Sequence, residues 1–221
     1  MTPTAGRVRV RLALDAEDLA TARGLEHDVF AAEGFIARSD RRCVEEYEEL
    51  DPQSRWYLAE RDGRAVGVLR VLASEPLVVP AVRHFELTAE ATAVLARQRY
   101  SEVGTLAVVV ADRGTDTGLH LYRAAFRDAV RAGGTAWVSV LEEWLLEHLD
   151  SSGFRFEPMG TSRYYMGGEC LPALMLFGDA LSVLHRKNPE MHAWIADGLE
   201  TGGLTVSTTA AEPTATSTGR R

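Results

Sequence analysis

Residues 8–12, Val8-Arg9-Val10-Arg11-Leu12, alternate apolar and charged positions with the period of two that a half-solvated strand requires. Behind them the period lengthens. Leu19, Ala22, Leu25, Val29 and Phe30 recur at helical spacing, and Asp15 stands where a cap belongs. Residues 37–53 are rich in arginine and glutamate and show no clear period. Two strands follow, 55–61 and 65–72, around Asp62-Gly63, a pair that favours a tight hairpin. Pro76 and Pro80 break the pattern, and a helix is expected over 89–97. The stretch YSEVGTLAVVV, 100–110, reads as a strand buried on both faces. Gly104 near its start marks a bulge, or a close approach of a ligand to the backbone. Asp112-Arg113-Gly114 ends that strand, and a helix over 118–131 stops at Gly133-Gly134. A strand over 135–141, a helix over 142–150 and a further strand from Phe154 onward complete the central part. Residues 171–199 read as helical, interrupted near Pro189.

This order predicts a mixed α/β (α+β) architecture, a central mixed sheet flanked by helices, with a crossover unit near 103–141. Residues 1–200 are expected to form one domain. Residues 201–221 are Thr, Ser, Ala, Gly and Pro in the main, a composition expected to stay disordered. The 221 residues, 46% hydrophobic, suffice for one large core. A formal net charge of −8 argues against a general nucleic-acid binder. Cys43 and Cys170 cannot make a disulfide framework, which fits a reducing compartment. No signal peptide or membrane span is visible, so a soluble cytoplasmic protein is expected. The six histidines form no metal spacing, and no metal site is expected.

Glu102 opens the core strand, and two readings stand for it. It is a positioned carboxylate at the mouth of the strand, or a strand-end charge paired with an arginine such as Arg70. Glu48 and Asp51 either bind a cationic group, hold Arg70, or belong to a solvated acidic loop. Arg70 can also meet a carboxylate with its planar fork. Phe30 and Phe35 suit a core or a cavity wall, and Ser139 is a candidate lining residue.

Several local patterns carry a family resemblance when taken in order. Phe30 and Phe35 lie in DVFAAEGFI; Glu46, Glu48 and Asp51 lie in EEYEELD; Arg70 lies in VGVLRVL; and Glu102 opens EVGTLAV. The set, over about residues 20–160, resembles the acyl-homoserine-lactone synthases and, more closely, the N-acyl amino acid synthases of the GNAT acyltransferase fold. Those families show an aromatic pair, an E-x-D-x-x-D element, G-x-x-R on a hairpin strand and E-x-S-R on a core strand. Gly104 and Thr105 depart from that serine-arginine pair, which argues against homoserine-lactone chemistry. RGTDTG at Arg113 is a poor match to the R-x-x-G-x-G loop of coenzyme-A-dependent members. Leu149 stands where acetyltransferases have a tyrosine.

The resemblance implies an N-acyltransferase. It would move a fatty acyl group from an acyl carrier protein thioester to a small-molecule amine, an amino-acid-like acceptor, by direct attack. Glu102 would be the catalytic base, with Phe30, Glu48, Asp51, Arg70, Thr105 and Ser139 around the substrate. No permanently bound cofactor is implied; the acyl thioester, on the carrier protein or alternatively on coenzyme A, is a co-substrate. Arg123, Arg127 and Arg131 recur every four residues on the 118–131 helix and, with Arg113, would dock the acidic carrier. Two alternatives stay open, an acyl-coenzyme-A-dependent N-acetyltransferase and a non-catalytic thioester-binding protein.

Overall fold

The computed structural model describes residues 7–199; the expected tail, 201–221, lies outside the described residues. Strand β1 (Arg9–Leu12) leads into helix α1 (Ala16–Glu33), where the Asp15 carboxylate accepts the Asp18 N–H at 2.8 Å and so satisfies a first-turn amide. The patternless stretch ends in a 3-10 helix over Glu45–Gln53, which buries Tyr47 and Leu50 and leaves its first glutamates in water. Strands β2 (Ser54–Arg61) and β3 (Arg64–Ala73) form the expected hairpin. Asp62 and Gly63 at its tip have φ of 52° and 75°, the left-handed pair that matches strand twist. Short helices α2 (Pro80–Arg83) and α3 (Ala89–Leu95) precede strand β4 (Tyr100–Val108). Helix α4 (Thr117–Arg131), strand β5 (Ala136–Glu142) and helix α5 (Glu143–Ser151) then follow.

The C-terminal part corrects the helical expectation for 171–199. Two short strands, β6 (Glu157–Pro158) and β7 (Arg163–Tyr165), are followed by a long strand β8 (Gly168–Leu176), and helix begins only at α6 (Phe177–Lys187) and α7 (Pro189–Ala196). The apolar run from Cys170 to Met175 is buried on both faces, so it lacks the alternation that would separate strand from buried helix. Pro172 survives inside this strand because it falls between its two short partners: β7 pairs with Gly168–Cys170, and β6 with Ala173 and Leu174.

Among the described residues the strands form one sheet in the order β1-β2-β3-β4-β5-β8-β6, with β7 also on β8. Alternate residues face opposite layers. Trp56, Leu58, Val68 and Ala107 pack beneath α1, whereas Tyr57, Ala59, Leu69 and Val103 pack beneath Leu121, Ala125 and Phe126 of α4. Every neighbouring pair is antiparallel except β4–β5, joined by the α4 crossover. That parallel ladder is short. It runs only from Tyr100↔Ala136 to Glu102↔Val138, although both strands continue.

Candidate active site

The parting of β4 and β5 has a local cause in β4. On the β3 side, Arg70 pairs with Thr105 but Val71 pairs with Val103, so Gly104 is an extra, bulged residue. A side chain there would meet the Leu72 methyl at 3.1 Å from its Cβ. On the β5 side the Ser139 hydroxyl donates to the Val103 carbonyl at 2.8 Å, one residue past the last ladder pair. Beyond it a cleft of about 580 Å³ opens, within the usual range of ligand sites. Its walls come from both faces of the sheet: Val29, Phe30 and Phe35 from the α1 side, and Leu119, Tyr122, Leu145 and Leu149 from the α4–α5 side. Gly104, Thr105 and Leu106 form one edge and Ser139 to Glu142 the other. The cleft therefore passes through the sheet at the bulge.

The predicted site residues do not all gather at this cleft. Phe30, Thr105, Ser139 and Arg113 line the cleft. Phe30 meets Phe35 edge-on with ring centroids 5.6 Å apart, as a cavity wall would. Arg113 is anchored there by Glu33 at 2.7 Å and by the Val108 carbonyl at 3.2 Å.

Arg70 and Asp51 come together, but away from the cleft. Arg70 is only 1% exposed, and its donors reach the Ser54 hydroxyl (2.9 Å), the Tyr47 carbonyl (2.8 Å), Asp51 (2.6 Å) and Glu26 (3.5 Å). Tyr47 and Trp56 stack against its guanidinium, at 4.9 and 4.6 Å. Asp51 is shared with Arg23 at 2.9 Å. Of the readings open for Asp51, the contact present is the one in which it holds Arg70. Glu48 is likewise displaced, exposed and paired with Arg41.

The arginine stripe of α4 also lies elsewhere. Arg123, Arg127 and Arg131 face a groove shared with Val10, Leu12 and Tyr57 rather than the cleft. Arg123 is held by the Trp194 carbonyl at 2.7 Å and by Asp197 at 3.3 Å, and it stacks on the Trp194 ring at 4.7 Å.

Glu102 sits behind the cleft wall, 1% exposed, and accepts the Ala81 N–H at 2.8 Å, one of the first-turn amides of α2. Burial pushes its carboxyl up to about 8, against the pull of the Ala81 hydrogen bond and the Arg70 charge. Its counterpart is Glu26, which the sequence reading missed. Glu26 accepts the Thr105 hydroxyl at 2.5 Å, and burial raises it to about 7 against Arg70 and that hydrogen bond. A signal for it was present: Glu26 falls four residues after Ala22, on the stripe that packs the helix. Tyr47, Tyr165 and Cys170 were missed too. The Tyr47 hydroxyl donates to the Gly104 carbonyl at 3.4 Å, while Tyr165 and Cys170 line the cleft. Burial pushes the Cys170 thiol up to about 11.

A mixed sheet, a single parallel pair at its centre and a bulge facing the gap define the N-acyltransferase fold known as GNAT. FeeM, an N-acyl amino acid synthase from uncultured soil microbes, superposes with a TM-score of 0.66, 12% identity, and coverage of 80% of this chain and 94% of FeeM. BjaI, a coenzyme-A-dependent acyl-homoserine lactone synthase solved with SAM and isopentyl-CoA, gives 0.59 at 23% identity over 81% of this chain and 88% of its own. An acyl-CoA N-acyltransferase from Pseudomonas aeruginosa gives 0.56 at 18% identity over 76% and 99%. At such identities the likeness is one of fold. No protein-family model matches the sequence, and no curated protein does. Among the described residues no helix is long and apolar enough to cross a membrane, and no cluster of three histidines, cysteines or carboxylates could hold a metal.

Two outcomes follow from the buried charges. Arg70→Met strands Glu26 and Asp51 without their cation, so stability to urea should fall by about 3–5 kcal/mol. An unchanged midpoint with impaired amine binding would return Arg70 to the acceptor site. Glu26 and Glu102 both have folded values above the unfolded 4.5. Their contribution is therefore complete below about 4.5 and is lost as pH rises through about 7 to 8. Melting temperature should decline from pH 5.5 to pH 8.5, and Glu102→Gln, which can still accept the Ala81 N–H, should make the decline shallower. An equal slope in the variant contradicts the assignment.

Proposed function

We propose that this protein is an N-acyltransferase that moves a fatty acyl group from a thioester to the amine of an amino-acid-like acceptor by direct attack. The observation that carries the reading is the cleft that crosses the sheet at the Gly104 bulge, with apolar walls on the α4–α5 side. A thioester entering from that side would bring its carbonyl to Gly104–Leu106. A backbone N–H freed by the bulge would hold the developing oxyanion there, an effect of about 3 kcal/mol per donor. The acceptor enters from the α1 side, so donor and acceptor meet in one complex. Cys170, the cleft's thiol, is kept protonated by burial, which supports direct transfer over a covalent acyl-enzyme.

Glu102 takes the amine proton through one intervening water, since it stands behind the cleft wall. With its carboxyl raised to about 8, the basic form grows as pH rises through that value. Thr105 and Ser139 hold the two edges of the gap in place, and Phe30 walls the acceptor side.

For the donor we favour an acyl carrier protein over free coenzyme A. The turn before α4, where a pyrophosphate would be cradled by helix amides, carries Asp112 and Asp116. Asp112 is buried and tied to Arg61 at 2.9 Å and to the Thr117 hydroxyl at 2.5 Å, and Arg61 also reaches Asp116 at 3.2 Å, so carboxylates and their own cation occupy the turn where a phosphate would meet helix amides. Arg113 remains the arginine at the cleft mouth for meeting a carrier. The arginines of α4 are not included in that docking face.

The reading is tested by purified protein given a fatty acyl pantetheine thioester or the matching coenzyme A thioester, together with a panel of amino acids and primary amines. Amine-dependent thiol release and an N-acyl amide by mass spectrometry are expected, with similar KM values for the two thioesters. Glu102→Gln should lower transfer about 10²-fold and lose the rise through pH 8. Amine-independent thiol release in every case, or a variant as active as its parent, contradicts the proposal. A KM for the coenzyme A thioester tenfold or more below that of the pantetheine thioester would restore coenzyme A as donor.

A further inference from the structure

The acceptor side of the cleft contains a hydroxyl that the fold leaves idle. Tyr165 ends β7, and Met166 and Gly167, with φ of 46° and 87°, turn the chain tightly into β8. The ring is wedged between His84, 5.4 Å away at a tilt, and Phe85, edge-on at 5.6 Å. The hydroxyl is buried, and only the Tyr47 hydroxyl bears on it as a hydrogen-bond neighbour, without closing a bond of normal geometry, although the residue lines the cleft. A buried phenol so poorly partnered costs stability. A fold that keeps it there, on a rigid two-residue hairpin, presents a polar atom for something that is not part of the chain.

The surroundings say what that something is. Glu46 and Tyr47 of the 3-10 helix, Glu102 of β4 and Cys170 of β8 all bear on Tyr165, and the two carboxylates, with burial ahead of them, raise its pKa. His84 adds its ring and is itself 3.4 Å from Glu46, while Arg163, on the same strand, is drawn off to the His84 carbonyl at 2.6 Å. The negative potential of Glu46, joined by Glu102 as it ionises near pH 8, repels phosphates and oxyanions from the buried hydroxyl and favours an amine or ammonium. The hydrogen-bond direction agrees. Tyr47 donates to the Gly104 carbonyl, so its oxygen is free to accept from Tyr165. With its proton turned that way, the Tyr165 oxygen offers a lone pair to an N–H in the cleft.

We propose that the Tyr165 hydroxyl, resting on Tyr47 and the Gly104 carbonyl, is the binding group for the acceptor's primary amine. This rests on the acyl-transfer reading above and names the half of the site that takes the amine. The amine would then sit on the α1 face of the sheet, beside the bulge where the thioester carbonyl is placed. Arg70 is not needed to hold it. A carboxylate on the acceptor is optional under this assignment, and the site's selectivity lies in the amine.

Tyr165→Phe tests this cleanly. The ring keeps its contacts with His84 and Phe85, and losing a hydroxyl that makes no bond of normal geometry should leave the melting temperature nearly unchanged. Phenethylamine and phenethyl alcohol, which differ only in the reacting group, serve as probes. The parent should bind the amine and not the alcohol by calorimetry, and the variant should bind the amine about tenfold more weakly or worse. Where turnover is seen, the amine KM should rise by the same factor while the thioester KM stays within twofold. Binding of the amine with this Tyr165 dependence, but without any acyl transfer, would sink the transferase reading and leave the amine site standing. Equal amine affinity in parent and variant, or a parent that prefers neither probe, overturns the amine site whatever the turnover.

Discussion

Arg70 has given up nearly all of its water, and that transfer is tolerable only because each face of its guanidinium finds a partner. Those partners come from separate parts of the chain: Glu26 on α1, the Tyr47 carbonyl and Asp51 on the 3-10 helix, and Ser54 on β2. A single side chain on β3 thus fixes α1 and the acidic turn over one face of the sheet. The consequences run further. Glu26, held by Arg70, accepts the Thr105 hydroxyl, and Tyr47, whose carbonyl Arg70 grips, donates to the Gly104 carbonyl. Gly104 and Thr105 at the bulge are therefore tied to partners of the same cation. Within the acidic motif of the turn, Asp51 serves this purpose, while Glu48 faces water beside Arg41.

The second constraint is the unequal reach of two strands. β4 gains a residue at Gly104 against β3, and from that point it leaves β5, with Ser139 closing the last stitch. A gap in the middle of a sheet exposes backbone that elsewhere is paired, and native chains leave such groups unpaired rarely and where a ligand can use them. Here the gap coincides with a cleft walled from both faces, which is the arrangement a two-substrate transfer without a covalent intermediate needs.

Much of this was legible in the sequence. Asp62-Gly63, the Asp15 cap and the glycine of YSEVGTLAVVV each specify local geometry by a mechanism that does not depend on distant residues, and each takes its expected form. The strand at Gly168–Leu176 was not legible, because burial on both faces erases the period that marks a strand. The site was read in part. Phe30, Thr105 and Ser139 reach the cleft, but a motif cannot say whether a charged residue faces inward or outward. Arg70 and Asp51 satisfy each other, Glu48 faces water, and the α4 arginines look toward β1. Glu26 and Tyr165 escaped notice for a related reason: nothing in a lone glutamate on a helix or a tyrosine in YYMGG marks it as buried until the sheet has closed over it.

The central claim is that an acyl thioester lies in the gap between β4 and β5, with its carbonyl at the bulge. A crystal structure with a hydrolysis-resistant acyl pantetheine, its thioester replaced by a ketone, tests that claim most directly. The account predicts the ketone oxygen within hydrogen-bonding distance of a backbone N–H at Gly104–Leu106, with the pantetheine arm leaving between Leu119 and Leu145. An analogue bound in the groove beside β1, or a gap that stays empty at saturating analogue, would contradict it.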